Sequence, residues 1–227
     1  MSLELSLEEL AENVYHVQFA TQLEITSTLL RPQEHFESPE FRGKIFTFDE
    51  FKEWYIKNSP RGKETGEFTY FSDWNSFNFP STVLKPFYRG DFDPITDKEG
   101  QFLKLFEGKS EPFYVIGTHR EKPLKIRNSI RHELGHALFL TSPEYKSDVL
   151  EVLNGMNQSH RQEVIGYLES TGGYHQDVIV DETHAHLLAS LAKLQEKGDI
   201  EVQKFAEVSG QLNAIFDKYF KPKNNIL

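Results

Sequence analysis

The spacing of apolar residues changes character near residue 112. From Asn128 onward they recur at intervals of three and four, the period of a helix that buries one face. Stop signals divide this stretch. Asn128 or Ser129 can cap a first helix running to about Leu140, and Ser142-Pro143 ends it and opens a second, proline being tolerated in a first turn. The second helix should stop near Asn154-Gly155. A third runs from about Ser159 to Glu169 and is terminated by Thr171-Gly172-Gly173, and a fourth spans roughly Val180 to Lys197. The last, from Asp199 to Phe220, carries Phe205, Val208, Leu212, Ile215 and Phe216 at helical spacing. Ahead of them, Phe113-Tyr114-Val115-Ile116-Gly117 is a short apolar run that predicts a buried strand.

Up to Pro112 the pattern is broken by Pro, Gly, Asn and Asp, as in Tyr70-Phe71-Ser72-Asp73-Trp74-Asn75-Ser76-Phe77-Asn78-Phe79-Pro80, and predicts short elements and ordered loops. Leu3 to Glu12 and Asp49 to Asn58 are expected as helices, the latter capped by Thr47 or Asp49. Tyr15 to Thr28 alternates as a strand would. The expected class is α+β, with a mainly helical C-terminal half, a small mixed or antiparallel sheet and an aromatic-rich N-terminal part. No Gly/Ser linker separates the halves, so residues 1–227 are expected to form one domain, its N-terminal part at 1–112 and its core at 113–220.

Composition narrows the chemistry. With 227 residues, 38% of them hydrophobic, the chain can bury one sizeable core. The 35 acidic and 25 basic side chains give a net charge of -10, which argues against a nucleic-acid partner, since that would need a basic face to neutralise phosphates. The 19 phenylalanines are expected in an aromatic core. The first thirty residues carry Glu4, Glu8, Glu9 and Glu12, without the basic-then-apolar order of a secretory signal, and no run of eighteen apolar residues occurs. A soluble, cytoplasmic protein with no membrane partner is therefore expected. Cysteine is absent, so any metal must be held by His, Asp or Glu.

His132-Glu133-Leu134-Gly135-His136 offers such a site. At about 100° per residue, His136 lies about 40° round the helix from His132, so both imidazoles can reach one ion, with Glu133 on the flank of that face. Ile130, Leu134, Ala137 and Leu138 fall on the opposite side, as expected of a helix anchored in a core with its metal face on a cleft. The alternative is a surface helix with two histidines one turn apart by chance. A catalytic zinc normally has three protein ligands, and the best source of a third is Asp181-Glu182-Thr183-His184-Ala185-His186 at the start of the fourth helix. Glu182 leads, with His186, Asp181 and His184 as alternatives. Asp181 can instead hydrogen-bond a ligand histidine and fix its tautomer, and both acids could merely decorate a helix N-terminus.

His132-Glu133-Leu134-Gly135-His136 followed by a glutamate on a later helix resembles the gluzincin branch of zinc metallopeptidases. Glu182-x-x-Ala185 leading into an Ala/Leu-rich helix is similar to the small intracellular zinc peptidases that cleave repressor proteins. The resemblance covers about Phe113 to Leu194. It departs from the metzincins, because Ala-Leu-Phe-Leu-Thr-Ser after His136 supplies no third histidine. It implies a zincin-like fold, Zn²⁺ on His132, His136 and Glu182, and Glu133 as the general base that hydrolyses a peptide bond in a protein or peptide substrate. It also implies an oxyanion donor at Tyr174 or His175, and a substrate-pairing edge strand at Phe113 to Gly117. His119, just after that strand, is a further group that could face the cleft. Two other functions remain consistent with the residues: a non-catalytic zincin-like metal-binding module that binds a protein partner, and an α+β interaction domain without metal.

Overall fold

The computed structural model describes residues 3–121, 123–171, 174–198 and 200–223, with backbone alone at 123–129 and 197–198. Strands β1 (Leu5–Ala11) and β2 (Val14–Phe19) form a hairpin, turned at Asn13, whose φ of 57° is one that asparagine tolerates. Then come α1 (Gln22–Glu37), α2 (Phe48–Asn58), the short helices α3 (Pro60–Thr65) and α4 (Tyr70–Asp73), β3 (Phe77–Pro80), α5 (Lys85–Tyr88), α6 (Asp97–Lys104) and β4 (Tyr114–His119). The C-terminal half is helical: α7 (Pro123–Thr141), α8 (Pro143–Gly155), α9 (Gln158–Ser170), α10 (Ile179–Ala189), α11 (Leu191–Gly198) and α12 (Ala206–Tyr219). The protein is thus α+β. No helix of the described residues is long and apolar enough to cross a membrane.

The sheet is mixed, in the order β1-β2-β4-β3, with β2 and β4 parallel and the other pairs antiparallel. Alternation along β4 sends Tyr114 and Ile116 into a core shared with Ile130, Leu134 and Ala137 of α7, and Val115 into a second core with Ile25 and Leu29 of α1. A Cβ on Gly117 would come within 2.7 Å of Leu29, so glycine is what lets α1 lie this close to the sheet. Both faces of β4 are therefore covered, which is why it reads as an unbroken apolar run. The second core takes most of the phenylalanines, Phe41, Phe46, Phe51, Phe77, Phe79, Phe87, Phe92, Phe102, Phe106 and Phe113 among them.

Several expectations change. Leu3 to Glu12 is not a helix: β1 pairs with β2, and a register shift between Glu9 and Ala11 breaks its alternation. The irregularity leaves Leu3, Leu7 and Leu10 at intervals that imitate a helix. The strand expected over Tyr15 to Thr28 ends at Phe19, and α1 starts at once on a capping box of Thr21 and Glu24, with Pro32 inside it. Phe113 to Gly117 is no edge strand, because β4 lies between β2 and β3; the edges are β1 and β3. The first C-terminal helix begins at Pro123, ahead of Asn128 and Ser129, whose side chains lie outside the described residues. Gly172-Gly173 and Asp199 lie outside them too. The fourth helix breaks at Ser190 into α10 and α11, and the last starts at Ala206 after a 3-10 turn. The helix expected at Asp49 to Asn58 is α2, capped by Thr47, and α8 starts on Ser142.

One buried ion pair fixes α1 against α6. Arg31 donates from Nε to Glu99 Oε1 at 2.7 Å and from Nη2 to Oε2 at 2.5 Å. Both side chains are buried, so Glu99→Ala strands a guanidinium and should cost about 3–5 kcal/mol in urea denaturation. A loss under about 1 kcal/mol would mean that the Phe92 and Pro94 carbonyls, which also accept from Arg31, suffice to hold it.

Candidate metal centre

Helix α7 anchors in the C-terminal core through Ile130, Leu134 and Ala137, and this turns His132, Glu133 and His136 the other way, toward α10. The two helices approach closely at Gly135, where a Cβ would stand 2.9 Å from Leu188 and 3.2 Å from His184. This small residue inside the motif is therefore a packing requirement that lets α10 bring Glu182 up to the histidines.

His132 Nε2 and His136 Nε2 face each other at 3.2 Å. Glu182 Oε1 lies 3.5 Å from His136 Nε2, and its Oε2 lies 3.9 Å from His132 Nε2. Four ligands about 2.0–2.1 Å from a tetrahedral zinc stand about 3.3 Å from one another; the spacings of His136 to His132 and to Glu182 Oε1 are close to this, and that of His132 to the other carboxylate oxygen is wider. Glu182 Oε2 is buried without a hydrogen-bond partner, an arrangement that a cation would satisfy. The donor set of nitrogens and oxygens suits zinc, and would also take manganese, cobalt or nickel. His132, Glu133 and His136 form one close group of potential ligand atoms, and His132, Glu182 and His186 a second.

The groups behind these residues fix their orientation. His136 Nδ1 lies 3.0 Å from Asp181 Oδ2, and His132 Nδ1 lies 3.2 Å from Ser190 Oγ, so each ring presents Nε2 to the centre. Asp181 is itself braced by His184, 3.5 Å away, whose other nitrogen meets the Tyr145 hydroxyl at 2.7 Å. His184 also stacks on Phe139, and with both nitrogens engaged it stands behind the ligands rather than among them. Burial pushes Asp181 up, but His136 and His184 hold its carboxyl at about 2. Burial works against charge on His136, yet Asp181, Glu182 and Glu133 overcome it and raise its pKa well above the ordinary imidazole value. His132 goes the other way: burial and the neighbouring His136 push its pKa well below the ordinary imidazole value.

Glu133 is held separately. Asn78 on β3 donates to its Oε2 at 2.5 Å, and the Tyr114 hydroxyl on β4 donates in turn to the Asn78 carbonyl. Burial raises the Glu133 pKa, with His136, Ser76 and Asn78 pulling the other way. The sequence pattern does not single out Asn78, although one signal exists: a polar residue between Phe77 and Phe79 faces opposite to them on a strand.

The metal-facing side of α7 is roofed rather than open, with His132, Glu133, His136 and Glu182 all under 9% exposed. Glu37, in the last turn of α1, comes near enough to feel the charges of Glu133 and His136, and burial pushes it up to about 8. Its backbone carbonyl accepts from His175 N–H at 3.0 Å. Tyr174 lies in the field of Glu182, Glu37 and Glu133, and burial together with those acids raises its phenol well above the ordinary value. The His175 ring instead caps the turn at Asp177. His119 sits on the α1 side of the sheet with Val115 and Gly117, next to Asn75 and Glu121, and not with the α7 histidines.

No family model matches this chain. No curated protein and no solved structure is similar to it either. Any reading of the centre therefore rests on its own geometry.

Proposed function

We propose that the chain is a zinc-dependent metallopeptidase of gluzincin type, acting on a protein or peptide, with His132, His136 and Glu182 holding Zn²⁺. The observation that carries this reading is the Glu133 carboxylate, fixed by Asn78 beside two imidazoles whose Nε2 atoms converge. A purely structural metal would not need that carboxylate. When bound, zinc supplies the Lewis acidity that brings a water near neutrality and polarises the scissile carbonyl.

The protein's own groups do the rest. Asn78 and Ser76 hold the Glu133 carboxylate, which takes the attacking water's proton and then passes it to the leaving amine nitrogen. Asp181 and Ser190 hold the two rings in the tautomer that keeps Nε2 for the ion. Tyr174, kept protonated by burial and by the acids around it, is the donor this reading assigns to a developing oxyanion. Edge strand β3, which carries Asn78, is the strand beside which an extended substrate would lie.

The roof over the centre favours a second reading, a metal-binding module that docks a protein partner without cleaving it. A mixture of peptides of defined sequence, incubated with zinc-loaded protein and read by mass spectrometry, separates the two. The peptidase reading expects new termini that vanish with chelator and return with zinc. Fully loaded protein that produces none would leave the binding module as the function.

A further inference from the structure

Edge strand β3 is not free along its outer side. In an antiparallel pair, successive residues turn their N–H groups alternately toward the partner strand and away from it. Asn78, opposite Ile116 of β4, turns its N–H away, and Gln33 Oε1 of α1 accepts it at 2.9 Å. Pro80, the next residue to face outward, has no N–H. Asn78 therefore carries the one outward donor that β3 can offer an extended chain, and a side-chain carbonyl of the protein already holds it.

The same turn of α1 covers the centre. Glu37 brings its carboxyl into the field of Glu133 and His136, and its backbone carbonyl accepts from His175 N–H at 3.0 Å, beside Tyr174. The way α1 is held changes at Pro32. Before it, Ile25, Leu29 and Leu30 lie in the second core and Arg31 is paired with Glu99. After it, residues 33–37 carry a single apolar side chain, the partly buried Phe36, and their ties to β3 and to His175 are hydrogen bonds. Pro32 also lacks the N–H that the Thr28 carbonyl would take, so a helical hydrogen bond is missing where the two parts join. Gln33, Glu34 and Glu37 are all buried, and burying two further carboxyls beside Glu133 makes this position of the turn costly.

We infer that the last turn of α1, residues 33–37, is an autoinhibitory latch. Gln33 occupies on β3 the place of a substrate carbonyl, and the turn must leave the strand before an extended peptide can pair with Asn78 and reach the centre. The inference rests on the proposed peptidase reading and adds its regulation: a centre that holds a general base is buried because this is its closed state. Opening needs only local unwinding past Pro32, with the apolar part of α1 and the Arg31–Glu99 pair left in place.

Amide hydrogen exchange of the zinc-loaded full chain, followed by NMR, reads the latch without any substrate. The amides of Asn78 and of residues 34–37 should exchange together, at least about 100-fold faster than those of residues 29–31, which open only with the whole fold. Gln33→Ala strands the Asn78 N–H in the closed state, so Asn78 should exchange about 10-fold faster still. Because apparent activity scales with the open fraction, kcat/KM for a peptide should rise by the same factor, a gain that loss of a merely structural contact would not produce. Wild-type Asn78 exchanging no faster than residues 29–31 would overturn the latch. So would a Gln33→Ala variant that exchanges faster at Asn78 yet cleaves more slowly, since Gln33 would then serve to position Asn78. Zinc-loaded wild type and variant that both cleave nothing, with the exchange pattern as expected, would overturn the peptidase reading and keep the latch as a cover over a binding site. Should Gln33→Ala fail to fold, exchange in the wild type still decides.

Discussion

Glu133→Gln should keep its zinc and lose peptide hydrolysis by about 10²–10⁴-fold, the usual contribution of a positioned general base. The substitution is nearly isosteric, and the amide oxygen of glutamine can still accept from Asn78 Nδ2, so the hydrogen bond that positions the side chain survives. What disappears is the ability to take a proton from water. Metal content by elemental mass spectrometry and the initial rate of cleavage of one peptide substrate, measured on the same preparation, test both halves of the expectation. A variant that retains the wild-type rate would end the proposed mechanism, because no other described carboxylate is held this way beside the histidines. A variant that loses the metal as well would show that Glu133 acts by supporting the centre.

Much of this site is legible in the chain, because its histidines and acids lie on two helices at fixed angular intervals. The pentapeptide at His132 puts two rings on one face, and the apolar stripe of Ile130, Leu134 and Ala137 orients that face away from the core. Glu182 and Asp181 could be picked out because they open a helix whose spacing is regular. The residues that escaped notice come from places where local pattern carries no information about distance. Asn78 reaches Glu133 from a four-residue strand 55 positions earlier, and Glu37 arrives on a helix hidden by Pro32. Ser190 looked like the interior of a long helix, yet the helix breaks there, with Ser190 at φ −131°, and its hydroxyl faces His132. The burial of the centre is equally unreadable, since whether Glu37 comes near Glu133 and His136 depends on how sheet and helices are assembled. The mistaken strand and helix near the N-terminus have the same origin: one irregularity in β1 converts a period of two into spacing that suits a helix.

Removing the ion should lower the melting temperature, and by an amount that can be bounded. Asp181, Glu182 and Glu133 gather around His136 in a buried space, so the folded protein gains from a cation that the unfolded chain cannot organise. Zinc at about a thousand times its dissociation constant stabilises the folded state by about 4 kcal/mol. For a chain of this length each kcal/mol moves the midpoint by about 2–4 °C, so chelation should lower it by about 8–16 °C. Added zinc should restore it. The shift must also depend on the right residues: His132→Ala should melt like chelated wild type and ignore added zinc, whereas Glu133→Gln should respond in full, because Glu133 serves the reaction and not the ion. A wild type whose midpoint is indifferent to chelator and zinc alike would sink the metal centre. A response of equal size in His132→Ala would place the ion elsewhere on the protein and leave the convergence of His132, His136 and Glu182 without its cation.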